Sequence, residues 1–179
     1  MTTASKPKAV KTSAAGSKDK RVFEFEVQLI DGPVTDAFCK ANKKVLRTIE
    51  IRGNQTLEKL HEAIFKAFDR QDHHLYEFRI GSKDPFDDKA VRYVMPFVLE
   101  DDFWRKEPIV MHDLTGANID SLGLKVGAKF YYWFDFGDDW WHSIKVVSIG
   151  ESAPGKRYPQ ITGRIGDSPP QYVDWDEEE

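Results

Sequence analysis

One aromatic-rich stretch, Tyr131 to Val147, constrains the fold of this chain more than any other segment. From Lys129 to Phe136 the chain alternates Phe130, Tyr132, Phe134 and Phe136 with Tyr131, Trp133 and Asp135, and a second run rich in β-formers extends from Trp140 to Ile149. A period of two is typical of a half-buried strand. Residues 137–139, Gly-Asp-Asp, separate the two runs and suit a tight turn, because glycine and aspartate tolerate positive φ angles. The stretch therefore predicts a β-hairpin.

The register of this hairpin decides whether its turn carries chemistry. If the loop is Asp138-Asp139, Asp135 lies directly across from His142, with about 4.5 to 5.5 Å between their Cβ atoms. The carboxylate would then orient the imidazole and raise its pKa. Four residues, Asp135, Asp138, His142 and His74, form a weak candidate metal or acid–base site. The alternative is a hydrogen-bond network that only stabilises the turn, and no catalytic residue or cofactor is assigned.

Three of the five tryptophans lie in the predicted hairpin, and they cannot all face the core. Exposed aromatic side chains beside acids are typical of a recognition surface. The alternative is that the long loop at residues 81–116 covers them. The candidate binding residues are Asp135, Asp138, Asp139, Trp140, Trp141, His142 and Tyr158.

The rest of the chain is periodic enough to predict an α+β domain. Besides the hairpin, strands are expected at Val22 to Ile30, Val45 to Arg52, Leu75 to Ile80 and Val91 to Leu99. An apolar stripe predicts one main helix from Leu57 to Asp69, with Thr56 as its N-cap and His61 packing at the edge of the stripe. Residues 34–44 admit a short helix or an extended crossing. A largely antiparallel sheet packed on the main helix follows, in a strand and helix order similar to a β-grasp arrangement.

Composition divides the chain into a folded body and two charged ends. Residues 1–20 are predicted to be a disordered basic leader, residues 21–173 a single domain, and residues 174–179 an acidic tail. Cys39 is the only cysteine, which excludes an internal disulfide and favours a reducing, cytoplasmic compartment. No apolar run reaches the roughly 18 residues that a membrane helix needs, so no membrane partner is expected.

The charge distribution favours a protein or peptide partner. The chain carries a net charge of −4, although residues 1–21 hold six lysines and arginines against one aspartate. An acidic body argues against a main role in nucleic-acid binding, which remains a weaker alternative through the basic leader. The leading hypothesis is a non-enzymatic binding module that presents the aromatic and acidic hairpin. A metal-dependent hydrolase or nuclease accessory that uses the Asp/His cluster is the second.

Four segments also carry a family resemblance. In order they are TLEKLHEAIFKAF, DHHLYEF, FDFGDDWWHSIKV and YPQITGRIGDSPP. The chain resembles the open-reading-frame-three-like family of plasmid pRiA, an Ri plasmid, over roughly residues 22–173. Members of that family occur in bacteria and archaea, often on plasmids or in insertion elements.

The chain departs from the family pattern at four places, one of which is an insertion at residues 90–115 relative to shorter members. The usual Pro-x-x-Trp-Arg phrase is replaced by the longer segment from Pro33 to Arg47, whose last residue stands for the arginine. Gln160 and Ile161 stand where the family has a cysteine, and the acidic, glycine-rich end differs as well. The resemblance implies the fold and the compartment, and it implies no activity.

Overall fold

The computed structural model describes residues 20–100 and 109–173 and has a mixed α/β architecture with one eight-stranded, mostly antiparallel sheet. Its strands are β1 (Arg21–Asp31), β2 (Leu46–Arg52), β3 (Tyr76–Ile80), β4 (Val91–Val94), β5 (Met111–Asp113), β6 (Lys129–Phe134), β7 (Trp140–Glu151) and β8 (Gln160–Ile165). Its helices are α1 (Asp36–Ala41), α2 (Leu57–Ala67) and α3 (Pro96–Glu100), and Ile119–Leu122 forms a 3₁₀ turn.

The two longest strands, β1 and β7, lie side by side near the middle of the sheet. The strand order is β5-β4-β3-β6-β7-β1-β2-β8, and among the described neighbours β4 and β5 form the parallel pair. In the pairing of β1 with β7, Arg21 lies opposite Glu151 and Asp31 lies opposite Trp141. The end of β1 therefore lies beside the hairpin turn, and its beginning lies at the opposite end of the sheet.

The predicted hairpin is confirmed as β6 and β7, but its register differs from the expected one. Tyr132 lies opposite His142, and residues 135–139 form the loop. The carbonyl of Asp135 accepts from the backbone N–H of Asp139 at 2.7 Å, and these two residues have φ angles of 57° and 55°. The predicted pairing of Asp135 with His142 is therefore wrong, because a five-residue loop with two left-handed aspartates replaces the two-residue loop.

Helix α2 places its apolar stripe in the core that it shares with the sheet. Leu57, Leu60 and Ile64 are buried in one cluster with side chains from β1, β2, β3 and β6. The predicted cap is confirmed, since the side chain of Thr56 accepts from a backbone N–H of the first turn at 3.3 Å. The helix ends at Ala67, slightly before its predicted end, and Asp69 takes a positive φ of 54°.

Shorter elements depart more from expectation. Residues 34–44 hold helix α1 and not an extended crossing. The strand predicted at Val91 to Leu99 ends at Val94, because Pro96 begins α3, a position that suits its fixed φ. Strands β5 and β8 were not predicted.

Both charged ends of the chain lie outside the described residues, apart from Lys20 of the predicted leader. No helix within residues 20–100 and 109–173 is long and apolar enough to cross a membrane. Cys39 is exposed.

Candidate functional site

Asp135 organises the turn between β6 and β7. Its backbone N–H donates to the carbonyl of Leu75 at 2.8 Å, which ties the turn to the beginning of β3. Its Oδ1 accepts from the backbone N–H groups of Gly137 at 3.2 Å and Asp138 at 3.4 Å. Its Oδ2 lies 3.4 Å from Nε2 of His74. Asp135 is thus a buried carboxylate whose side-chain partner is His74.

The segment of residues 166–173, here termed the strap, closes over this corner. Gln171 is buried, and its amide accepts from the backbone N–H groups of residues 71–72 at 2.8 and 3.1 Å and donates to a carbonyl there at 2.9 Å. The hydroxyl of Tyr172 lies 3.0 Å from Nε2 of His74. Two of the four segments that carry the family resemblance therefore meet at the turn, together with the residues that directly follow the fourth.

Arg47 holds the beginning of the strap. This residue of β2 is 1% exposed. Its guanidinium donates five hydrogen bonds of 2.8 to 3.1 Å, to the carbonyls of Leu46, Ala67, Ile165 and Gly166 and to the hydroxyl of Ser168. The side chain therefore joins β2, the end of α2, the end of β8 and the strap.

His142 lies in the core, away from the turn. It is 1% exposed, and its ring centroid lies 4.7 Å from that of Phe68 and 5.4 Å from that of Tyr132. Among the described residues, neither ring nitrogen has a side-chain hydrogen-bond partner. Burial, assisted by the positive charge of Arg70, lowers the pKa of His142 to about 3. The expectation that a carboxylate raises this pKa is therefore wrong.

The four weak metal candidates do not converge. His74 and Asp135 meet, and Asp138 lies in the same turn, but His142 is buried in the core. Within the described ranges, no group of three or more His, Cys, Asp or Glu side chains is arranged to hold a metal ion. His74 also contacts the hydroxyl of Tyr172, so it links the turn to the strap.

Trp140 is a core residue, which corrects its prediction as a surface residue for binding. Its side chain is fully buried, and a Cβ added at Gly32 would lie 2.4 Å from its ring. The guanidinium of Arg70 stacks on the indole, with 3.7 Å between Cζ and the ring centroid. Burial lowers the pKa of Arg70 to about 10. None of the three guanidinium nitrogens has a hydrogen-bond partner among the described residues.

Four aromatic side chains, here termed the aromatic ladder, contact one another in a row on the other face of the hairpin. Trp133 lies 4.0 Å from Phe136 and 4.8 Å from Trp141, between ring centroids, with interplanar angles of 26° and 9°. Phe86, from the loop after β3, meets Trp141 edge-on at 4.9 Å. The guanidinium of Arg79 in β3 lies over both indoles, 5.1 Å from Trp133 and 4.8 Å from Trp141.

Exposure varies along the ladder. Phe86 is 58% exposed, Trp133 is half-buried and Trp141 is 4% exposed. Asp139 is exposed, and its Oδ1 accepts from Nε1 of Trp133 at 2.9 Å. The loop at residues 81–116 therefore covers Trp141, as one of the two alternatives expected. Phe86, the loop residue that contacts Trp141, itself faces solvent.

Comparison with known proteins decides the family. A family model described as plasmid pRiA4b ORF-3-like protein matches residues 37–175. The chain belongs to this family. An uncharacterised protein of Sinorhizobium fredii, y4hQ, is 32% identical over 130 residues, which are 72% of this chain. The chain spans 59% of the length of that relative. The family resemblance is thus confirmed, and no function is established for these relatives.

A solved structure supports the fold of this ORF-3-like protein. The crystal structure of MM3350 from Methanosarcina mazei Go1, a protein of unknown function, matches with a TM-score of 0.61 and 20% sequence identity. The match covers 81% of this chain and 70% of that one. At this identity the likeness concerns the fold alone.

Tyr158 lies at the other end of the sheet from the turn of the ORF-3-like chain. Its ring lies 5.2 Å from Cζ of Arg52, and its hydroxyl accepts from the backbone N–H of Ala153 at 3.3 Å. Arg52 pairs with Val22 near the beginning of β1. Tyr158 is therefore not part of the cluster at the turn.

Four residues of the ladder region, Arg79, Phe86, Trp133 and Phe136, were absent from the predicted site. For Trp133 and Arg79 a signal existed, since the alternation in β6 and β3 places them on the face opposite Phe134 and Phe78. Phe86 follows Pro85 in a loop with no periodicity, so no local pattern indicated its contact with Trp141. That contact depends on how the loop folds back over β7.

Proposed function

We propose that this ORF-3-like protein is a non-enzymatic binding module that captures a protein or peptide on the aromatic ladder. The observation that supports this function is a continuous row of four rings, three stacked and one edge-on, that ends in the 58% exposed side chain of Phe86. Aromatic side chains dominate binding surfaces, because each buries a large area with few rotamers to immobilise.

The ladder is held in place before any partner arrives. Nε of Arg79 donates to Oε1 of Glu77 at 2.5 Å, and Nη1 donates to the carbonyl of Pro85 at 2.8 Å. The second bond fixes the loop next to Phe86. A surface that is ordered beforehand loses little conformational entropy on binding, which favours affinity.

The two rival functions have less support. The Asp/His cluster that a metal-dependent hydrolase or nuclease accessory would use is reduced to the contact of His74 with Asp135. A nucleic-acid role through the basic leader stays a prediction, because residues 1–19 lie outside the described residues. Deletion of residues 1–20 should remove any such binding together with its salt dependence.

We also propose that residues 21–173 are one domain with a β-grasp-like order around α2 as its main helix. The elements β1, β2, α2 and β3 follow one another along the chain, interrupted by the short α1. Side chains from all four lie in one buried core. Since β1 and β7 are antiparallel, the likeness concerns the order of elements alone.

A cytoplasmic location is proposed as well. The only cysteine, Cys39, is exposed and cannot form an internal disulfide. This composition suits a reducing compartment.

Replacement of Phe86 by serine should weaken peptide binding about tenfold or more and leave the fold intact. The side chain is 58% exposed, so the change removes a ring from the surface with little loss of buried area. Peptides are selected on the wild-type protein from a phage-displayed random library. Their dissociation constants for both proteins are then measured by fluorescence anisotropy, and thermal unfolding checks the fold.

Phe97→Ser is the matched control. Phe97 is 51% exposed and lies in α3, and among the described residues its ring does not contact those of the ladder. This variant should bind like the wild type. Failure to select any peptide, or an equal loss of affinity in the two variants, would refute the proposed function.

A further inference from the structure

We infer that the partner presents an arginine side chain to the aromatic ladder, so that the surface recognises basic peptide segments. This inference rests on the proposed function and adds the chemical class of the partner. Two independent features support it: the ladder already stacks against a guanidinium of the chain itself, and its border at the turn is acidic.

Arg79 shows what the indole faces of the ladder accept. Its guanidinium carbon lies 5.1 Å from the ring centroid of Trp133 and 4.8 Å from that of Trp141. Aromatic faces attract cations electrostatically, and arginine makes such contacts more often than lysine because its planar group also stacks. The exposed ring of Phe86 offers a partner the same kind of surface, whereas Trp133 lies between Phe136 and Trp141 in the ladder.

The turn end of the ladder is bordered by carboxylates. Asp138 and the exposed Asp139 lie in the turn, and the exposed Asp31 is the cross-strand neighbour of Trp141. The segment 134–141 contains no lysine or arginine. Negative charge at this border favours a cationic side chain and disfavours an acidic one.

The other end of the ladder is electrically mixed. Beside Phe86, the exposed Asp84 and Asp88 alternate with the exposed Lys83 and Lys89. The excess of negative charge around the ladder therefore lies at the turn. We expect one arginine of the partner on the exposed ring of Phe86 and a second basic side chain beside the carboxylates of the turn.

The same charges decide between a peptide and a nucleic acid. Single-stranded nucleic acids also stack on aromatic side chains, but they need a positively charged groove for their phosphates. The acidic border supplies the opposite charge. A basic peptide therefore fits both the rings and the border, whereas a nucleic acid fits the rings alone.

A pair of synthetic peptides tests the inference. The first is a fluorescein-labelled ten-residue Gly/Ser peptide with three arginines, and the second has citrulline, a neutral isostere, at the same positions. The arginine peptide should bind about tenfold tighter than the citrulline peptide. Its affinity should fall with rising salt, because part of the attraction is electrostatic.

Asp139→Asn provides the variant. Asparagine tolerates the positive φ of 55° at this position, and its amide oxygen can still accept from Nε1 of Trp133. The variant removes one negative charge and should weaken binding of the arginine peptide severalfold. Asp167→Asn, at an exposed position of the strap, is the control and should bind the arginine peptide like the wild type.

The outcomes separate the two proposals. If Phe86→Ser weakens both peptides and the two bind equally well, the ladder is a binding surface and the arginine inference is wrong. If the arginine peptide binds but Phe86→Ser has no effect, binding lies elsewhere and the proposed function itself fails. Unchanged affinity in Asp139→Asn, or tighter binding of a peptide with glutamate in place of arginine, also overturns the inference.

Discussion

Lowering the pH from 7 to 5 should reduce the free energy of unfolding by about 4 kcal/mol. Two buried histidines cause this loss. The ring of His61 stacks on that of Tyr76, with 3.5 Å between the ring centroids, and its Nδ1 lies 2.7 Å from the hydroxyl of Tyr132. His142 lies between aromatic rings of the core. Burial lowers the pKa of each imidazole to about 3.

The sign of the effect follows from proton binding in the two states. At pH 5 both imidazoles stay neutral in the folded protein, whereas in the unfolded chain they bind protons below about pH 6.5. The unfolded state therefore binds more protons, and the protein loses stability as the pH falls from 6.5 toward 3. Each histidine accounts for about 2 kcal/mol of the loss at pH 5.

Urea unfolding at the two pH values measures the change. His142→Phe should show about half of the wild-type difference, because phenylalanine keeps the ring contacts and cannot be protonated. His112→Gln is the control, since His112 is exposed in β5 and should leave the full difference. Equal stability at pH 7 and pH 5 would show that the two imidazoles do not stay neutral in the folded protein.

The regular elements of the fold were predictable where the chain carries its own pattern. Alternation in β1 and the apolar stripe of α2 are local, and both elements lie where these patterns indicated. Strand β8 has no such pattern. Its pairing partner, β2, supplies the hydrogen bonds, and Arg47 binds the carbonyl of Ile165 at its end. A strand that depends on distant partners leaves no signal in its own residues.

The candidate site was harder to predict, because its contacts depend on the loop conformation and the order of strands in the sheet. The loop has five residues, since Asp135 and Asp139 adopt left-handed conformations that the sequence permits but does not require. Once β3 lies beside β6, His74 reaches Asp135, a contact across some 60 residues of sequence. Neighbouring residues along the chain indicate neither the loop conformation nor the contact of His74 with Asp135.

Arg47→Met should cost about 3 to 5 kcal/mol of stability, whereas Arg70→Met should be neutral or stabilising by up to about 4 kcal/mol. Both guanidiniums are buried, at 1% and 7% exposure. That of Arg47 makes five hydrogen bonds, four of them to backbone carbonyls that would lose this donor. An acceptor left unpaired in the interior costs roughly 1 to 3 kcal/mol.

Arg70 differs because its replacement by methionine would leave no hydrogen-bond acceptor without a donor among the described residues. Its nitrogens have no hydrogen-bond partner among the described residues, and its main recorded contact is the face of Trp140 at 3.7 Å. A methionine retains an apolar contact with that ring and removes the cost of burying a charge. Urea unfolding at pH 7 compares the two variants under identical conditions. An equal loss in both would show that the attraction of Arg70 to the carboxylates of Asp135 and Asp138, which opposes the effect of burial on its pKa, outweighs its desolvation. Changes of opposite sign in the free energy of unfolding would instead mean that hydrogen bonds, and not charge, make a buried arginine stabilising in this fold.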